Sequence, residues 1–372
     1  MIVRNKSYKF RLYPNVEQSI YFSKCFGSVR FFYNKMLGER KELYELYKDD
    51  KEELKKHKPK SYTEWKREFE WAKEIDSLVL ANAQMNLLTA YNNFYRSKGK
   101  VGFPNFKSKH RDWDSFTTNN QGGNIRIENK HIILPKIKGV RVKQHRQIPS
   151  DQIIKSCTIS RTKSGKYYVS ILVEWYEEEK QLNLDLNKAM GLDYSSSSFY
   201  VDNQNIKANY PKFYRNAQSK LAREQRKLSK CVKGSNNYYK QKHRIAVVSE
   251  KVANQRKDWL EKLSCQIAKD NDIVCIESLN MRAMSQCLKL GKSTMDNGWG
   301  MFVNMLIRKV KQIVKVDKWF PSSKLCPVCG CINRELTLKD RVWTCACGNV
   351  LDRDYNAANN ILQEGLRILT QA

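Results

Sequence analysis

No run of eighteen apolar residues occurs in the 372-residue chain, which excludes a transmembrane helix. The N-terminal Met-Ile-Val-Arg-Asn-Lys lacks the apolar core of a secretory signal. No internal repeat is visible. Acidic residues are scarce: 38 Asp and Glu stand against 68 Lys and Arg, a formal charge of +30. That excess exceeds what solubility needs and calls for an anionic partner. Apolar residues make up 41% and aromatics 11%, enough to build cores, so wholesale disorder is excluded. A disulfide framework is also missing. Six of the eleven cysteines are scattered (Cys25, Cys157, Cys231, Cys265, Cys275, Cys287). The other five crowd between Cys326 and Cys347, which points to a metal.

A polybasic membrane anchor would be one short block beside an apolar or lipidated segment. Here the basic groups peak in several places: residues 96–111, 136–146 and 212–244. The last stretch holds eleven Lys or Arg and one acid, Glu224. Aromatics and amides accompany the first peak, among them Phe103, Phe106, Trp113, Phe116, Asn119 and Asn120. This distribution suits a long polyanion, a nucleic acid, better than a membrane. At helical spacing Arg215, Lys220, Arg223, Arg226, Lys227 and Lys230 fall on or near one face, a stripe fit for a phosphate backbone rather than a solvated face of mixed sign.

Alternation over residues 2–13 reads as a strand ended by Pro14. Helical spacing follows, with Val29, Phe32, Tyr33, Met36 and Leu37 on one face. The charged stretch 49–59 reads as a loop, and 65–72 and 78–94 as helices. Strand-like pieces occupy 125–127, 131–134, 140–142, 153–161 and 166–175, with Ser164-Gly165 as a hairpin signal. After a polar linker, 177–188, an apolar strand ends in Asp193, with 198–202 as its hairpin partner. Long helices cover 211–269. Residues 273–276 form a continuous apolar run ending in Glu277. A helix over 298–310 and a strand over 313–316 follow, and Asp354 begins the last helix.

Cys326-Pro-Val-Cys329-Gly and Cys345-Ala-Cys347-Gly are fifteen residues apart. Two such knuckles can converge four thiolates on one tetrahedral Zn²⁺, a closed and therefore structural site. The second knuckle is one residue short, so Cys331 competes with Cys347 as fourth ligand. Strand ends are where ligand sites collect in an α/β sheet. Three carboxylates meeting there could hold two Mg²⁺ (or Mn²⁺) ions about 4 Å apart for phosphodiester hydrolysis. Spacing alone leaves alternatives: Asp193 as a turn residue, Glu277 as a surface acid, Asp354 as an N-cap, and Asp352 as the third ligand.

The order of these parts resembles the TnpB proteins encoded by bacterial insertion sequences, compact relatives of the type V CRISPR effectors. The resemblance runs over nearly the whole chain. It is carried by Tyr8-Lys-Phe-Arg-Leu-Tyr-Pro14, Phe26-Gly-Ser-Val-Arg-Phe-Phe-Tyr-Asn34, Phe103-Pro-Asn-Phe-Lys-Ser-Lys109, Ile154-Lys-Ser-Cys-Thr-Ile-Ser-Arg161 and Tyr167-Tyr-Val-Ser170. Further on it is carried by Gly191-Leu-Asp193, Lys251-Val-Ala-Asn-Gln-Arg-Lys-Asp258, Ile276-Glu-Ser-Leu279, Ser322-Ser-Lys-Leu-Cys-Pro-Val-Cys-Gly330 and Leu351-Asp-Arg-Asp-Tyr-Asn-Ala-Ala-Asn-Asn-Ile361.

The resemblance implies an α+β multidomain fold. Its parts would be a wedge-like β-barrel (1–14 and 105–180), a helical recognition insertion (15–104), an RNase H-like (RuvC) α/β nuclease domain (188–320 and 351–372) and a zinc-binding insertion (321–350). It implies catalytic roles, as magnesium ligands, for Asp193, Glu277 and Asp354, the last over Asp352. The zinc ligands would be Cys326, Cys329, Cys345 and Cys347. The implied activity is RNA-guided DNA cleavage. A guide RNA from the transposon end pairs with double-stranded target DNA, beside a short transposon-adjacent motif read by the protein. No protein partner is required, and the expected location is the cytoplasm, on the nucleoid when bound to DNA. Ser195 departs from the family, which often has Gly there, as does the short second knuckle. A nuclease-dead RNA-guided repressor is the alternative, but it would be expected to lose a carboxylate. A transposase fits less well: the Asp–Glu–Asp order is not that of a DDE enzyme, and no His-x-His pair suits a relaxase-type one.

Overall fold

The alternation over residues 2–13 becomes β1 (Ile2–Tyr13), with Tyr8, Phe10 and Leu12 turned into a core. The computed structural model describes residues 1–109, 114–178, 183–287, 296–337 and 339–371, excepting the side chains of 282, 285 and 287. The end of the first basic peak with Trp113, the Cys287 side chain and the middle of the 177–188 linker lie outside that description. The chain divides into two units, Met1–Glu179 and Lys180–Ala372.

In the first unit β1 is the spine of a seven-stranded antiparallel sheet. The other strands are β2 (Asp114–Asn119), β3 (Arg126–Glu128), β4 (His131–Leu134), β5 (Ile137–Lys143), β6 (Ile153–Arg161) and β7 (Tyr167–Glu177). The order is β2-β6-β7-β1-β5-β4-β3. β1 pairs with β7 from Ile2↔Glu177 to Leu12↔Tyr167. What is observed of the expected barrel is this sheet, with β2 and β3 at its edges. Gly165, at φ +78°, turns β6 into β7 as the hairpin signal predicts.

Pro14 ends β1, and Asn15 starts α1 (Val16–Tyr47) with a capping box to Gln18. α1 buries Phe22, Phe26, Val29, Phe32, Tyr33, Met36 and Leu37. They share one core with the sheet and with Val79, Leu80, Ala83 and Leu87 of α4 (Ser77–Arg96). Two expectations are corrected. The charged stretch expected to be a loop contains α2 (Lys51–Lys56), capped by Asp50 and laced by Glu52–Lys55 and Glu53–Lys56 ion pairs. The helix expected over 65–72 divides into α3 (Tyr62–Glu68) and a 3₁₀ turn, Glu70–Glu74.

The second unit is built on a four-stranded sheet of order β11-β10-β8-β9. Its strands are β8 (Ala189–Ser195), β9 (Phe199–Asp202), β10 (Ile273–Glu277) and β11 (Gln312–Val316). β8, β10 and β11 are parallel, and β9 folds back antiparallel to β8. β10 reads as a continuous apolar run because both faces are covered. Val274 and Ile276 join Leu192, Phe199, Leu260, Trp299 and Phe302 in one cluster. Ile273 and Cys275 join Val314, Val316 and Ile361 in another. The first cluster draws on α6 (Asn236–Asp270) and α8 (Trp299–Ile307), the second on the last helix, α9 (Arg353–Gln371). Helix α7 (Met281–Cys287) follows β10. α9 can lie against β8 only because position 191 is glycine: a Cβ there would stand 2.2 Å from the Ala358 carbonyl oxygen. No described helix is long and apolar enough to cross a membrane.

Candidate nuclease and metal sites

Parallel pairing places the ends of β8 and β10 together. Leu192 is in register with Ile276, so one further residue brings Asp193 beside Glu277. Glu277 is in turn opposite Val316 of β11. The third carboxylate arrives from α9, whose contact with β8 sets its first turn against the same strand ends. Asp352 caps that helix, its Oδ1 accepting the Tyr355 backbone N–H at 2.9 Å. Asp354, in the first turn of the helix, is thereby not the cap.

The three carboxylates bear on one another. The Asp193 carboxyl is pushed well above the usual range, first by burial, then by the like charges of Glu277 and Asp354. Burial also raises Glu277, against a 2.9 Å hydrogen bond donated by Ser322 Oγ. Asp354 is held by Arg341 and Arg353, each with a nitrogen 3.2 Å from its carboxylate. One acid of the group is driven towards its neutral form by burial and like charge, and another is paired with guanidinium groups. Hard oxygen donors of this kind fit a magnesium-type ion.

Sequence reading missed Ser322, Arg341 and Arg353. It also missed Asn356 and Asn360, although their i,i+4 spacing within Asn-Ala-Ala-Asn-Asn was a signal. Both amides are buried, and both donate to the Leu325 carbonyl at 2.8 Å; Asn360 also donates to the Ser322 carbonyl at 2.7 Å. They pin α9, and with it Asp354, to the segment that carries Ser322. Ser195, where the family often has glycine, is buried and accepts a hydrogen bond from Ser198 Oγ at 3.0 Å, closing the β8–β9 turn.

The thiolates form a separate group. Sulfurs of Cys326, Cys329, Cys345 and Cys347 lie within 4.8 Å of one another, and Cys331 is not among them. Among the described residues this is the group of His, Cys, Asp and Glu ligand atoms gathered so closely; the three carboxylates do not form a second. Gly330 and Gly348, at φ +72° and +86°, close the two knuckles. Their N–H groups reach back to the Cys326 and Cys345 carbonyls, each at 2.9 Å. Backbone N–H groups of Cys329 and Val328 hold the Cys326 thiol down to about 6 against its desolvation, so it is readily a thiolate ligand. Leu336, Trp343 and Leu351 complete a small core with Cys326 and Cys345. The knuckles are tied to the carboxylates: β12 (Val342–Thr344) pairs with β13 (Val350–Asp352), which runs straight into α9. Four thiolates leave no open position and could hold a structural metal such as zinc.

The basic stripe lies on α5 (Phe213–Ser229) and just beyond it. Arg215, Lys220, Arg223, Arg226, Lys227 and Lys230 are all exposed. Glu224, the acid that would break the stripe, is buried. Its carboxylate accepts from Gln241 of α6 at 2.6 Å, while Arg223 and Lys227 lie 3.6 and 3.5 Å from its other oxygen. The outward face is therefore cationic.

Comparison with known proteins agrees with this layout. Residues 170–288 match a family described as "Probable transposase", OrfB_IS605, and residues 299–361 match the Cas12f1-like TNB domain. Residues 1–49 match the family's "Helix-turn-helix domain", although here they form β1 and the single long helix α1. A Streptomyces pristinaespiralis protein named "Putative RNA-guided DNA endonuclease" is 33% identical over 97% of this chain and 89% of its own length. Escherichia coli InsQ, of the same description, is 29% identical over 98% of this chain and 94% of its own. In fold, the chain is similar to Cas12f1 from a Cas12f1–sgRNA–target DNA complex, with a TM-score of 0.56 at 14% identity, covering 97% of this chain and 99% of that one. The chain thus belongs to the TnpB family, the RNA-guided nucleases related to Cas12f1.

Proposed function

We propose that this chain is an RNA-guided DNA endonuclease of the RuvC type. It takes its guide from RNA of the transposon end and cuts target DNA beside a short adjacent motif. The reading rests chiefly on one observation: Asp193, Glu277 and Asp354, far apart in sequence, converge at the ends of two parallel strands and one helix. Bound there, a pair of divalent ions, Mg²⁺ or Mn²⁺, would supply an activated water and charge neutralisation at the leaving oxygen. The chain's own part is positioning. Asp193 and Glu277 present their oxygens from adjacent rigid strands, and Ser322 fixes the Glu277 carboxylate. Arg341 and Arg353 pair with the Asp354 carboxylate and can turn to an entering phosphate. Cys326, Cys329, Cys345 and Cys347 hold one structural Zn²⁺ that keeps the segment before α9 in shape. The α5 stripe follows phosphates of guide RNA or heteroduplex without reading bases. Within the first unit the strands would be the wedge domain and the helices the recognition insertion; within the second, residues 188–320 and 351–372 would be the nuclease and 321–350 the zinc element.

The test is to sequence RNA that co-purifies with the protein and then replace its guide segment. Cleavage that follows the new guide supports the proposal. Cleavage indifferent to the guide would contradict it. Guided binding without cleavage would leave the repressor alternative.

A further inference from the structure

Trp319 is 81% exposed, an unusual position for the largest apolar side chain. It sits on a short turn, residues 317–322, that leaves β11 at the strand end facing the carboxylates. The turn is tightly built. Asp317 Oδ1 accepts the Trp319 N–H at 2.8 Å, and the Asp317 carbonyl accepts the Phe320 N–H at 3.1 Å. Phe320 packs against the cluster of Val314, Val316 and Ile361. Two residues on, Ser322 bonds the Glu277 carboxylate. Trp319 is thus held outward between a partly buried anchor, Phe320, and a residue that touches the nuclease site. Lys318 lies over its ring, Nζ 4.6 Å from the centroid, and Lys315 is exposed close by.

A flat aromatic face with a cation beside it, fixed in place, has the chemistry of a base-stacking platform: the ring takes a nucleobase and the ammonium the adjoining phosphate. We propose that Trp319 stacks on an unpaired base of the DNA strand entering the carboxylate site, with Lys318 on its phosphate. This inference deepens the nuclease reading and rests on it for the identity of the strand. Stacking is sequence-tolerant because every base has a π-face, as a guided nuclease requires.

The test uses the full-length protein without added Mg²⁺ or Mn²⁺, so that nothing is cut, and a short single-stranded oligodeoxynucleotide containing 2-aminopurine. Wild type should change the 2-aminopurine fluorescence on binding. Trp319→Ala should bind about tenfold or more weakly, on the scale of one lost base–aromatic stack, and Trp319→Phe should retain most of the affinity. Metal content and thermal midpoint should match wild type in both variants, as expected for an exposed side chain. Equal affinity in Trp319→Ala, an equal loss in Trp319→Phe, or no fluorescence change with wild type would overturn the proposal. The binding arm is independent of cleavage. A protein that stacks through Trp319 but never cuts fails only the nuclease reading; one that cuts under guidance but is indifferent to Trp319→Ala in binding fails only this proposal.

Discussion

The two ligand sites of the second unit are built in opposite ways. The thiolate site is local: four sulfurs from 22 consecutive residues, already within 4.8 Å of one another. The carboxylate site is assembled from two strands and a helix, spans Asp193 to Asp354, and is not gathered to that closeness. Their electrostatics differ in the same sense. Within the thiol group Cys326 is pulled down to about 6 by backbone N–H groups while Cys329 and Cys345 are raised; in the carboxylate group Asp193 and Glu277 are both raised, first by burial, and neither is lowered. A site made of turn geometry can organise its donors before the metal arrives. A site made of converging like charges relies on the cation, or on Arg341 and Arg353, to offset the repulsion.

The largest expected effect breaks the carboxylate side. Asp193→Ala, Glu277→Ala or Asp354→Ala should lower cleavage by roughly three orders of magnitude or more, as removal of a central catalytic group does. RNA-dependent target binding, measured by gel shift, should survive because affinity comes from basic contacts and base pairing. Loss of both together would make these residues structural.

On the thiolate side the effect should be structural. Metal binding at such sites is worth on the order of ten kcal/mol and is also folding energy. Cys326→Ser or Cys345→Ser should lose zinc and open the 321–350 element to protease. Cys331→Ser should keep one zinc per chain by elemental analysis. Zinc loss in Cys331→Ser with retention in Cys347→Ser would reverse the ligand assignment.

A smaller effect is expected from the α5 stripe, which lies apart from both sites in sequence. Changing Arg223, Arg226 and Lys230 to Gln should flatten the slope of log K against log salt by roughly two to three units. Matched and mismatched targets should weaken alike. An unchanged slope with RNA loading intact would return the stripe to a solvated face.

The smallest effect sharpens the electrostatic contrast. Asp193 and Glu277 have folded values above their unfolded ones, so at these two positions the metal-free native state binds more protons than the unfolded chain. Their contribution to stability is therefore fullest at low pH. It is lost as pH rises from the ordinary carboxylate range near about 4 through the raised folded values. In EDTA, Asp193→Asn should lose less thermal stability than wild type between pH 5 and pH 8. Mg²⁺ should raise the wild-type midpoint more than that of the variant. Parallel pH profiles would mean that Asp193 carries no such strain.

Legibility in the sequence followed the same division between local and assembled features. Strand β1, helix α1 and the β6–β7 hairpin were readable because each announces itself within a few residues: Pro14 and Asn15, the α1 apolar face, Ser164-Gly165. The knuckles were readable for the same reason: spacing left Cys331 open beside Cys347, the family resemblance implied Cys347, and the gathered sulfurs include Cys347. The three carboxylates could be named as strand-end and helix-start residues; bringing them together required the parallel register of β8 and β10 and the packing of α9 on Gly191. Arg341 and Ser322 were invisible because each acts across 13 or 45 residues of sequence. Helix α2 was hidden by its charge: capping and ion pairs hold it, with no buried residue of its own.

The proposed nuclease chemistry requires that Asp193, Glu277 and Asp354 jointly bind the catalytic ions. Anomalous diffraction from crystals of the protein with guide RNA, target DNA and Mn²⁺ tests it most directly. Two manganese peaks about 4 Å apart are expected, bounded by these three carboxylates and lost together in Asp193→Asn crystals. A fully guided, Mn²⁺-soaked complex with no manganese at these carboxylates, or with manganese undisturbed by Asp193→Asn, would contradict it.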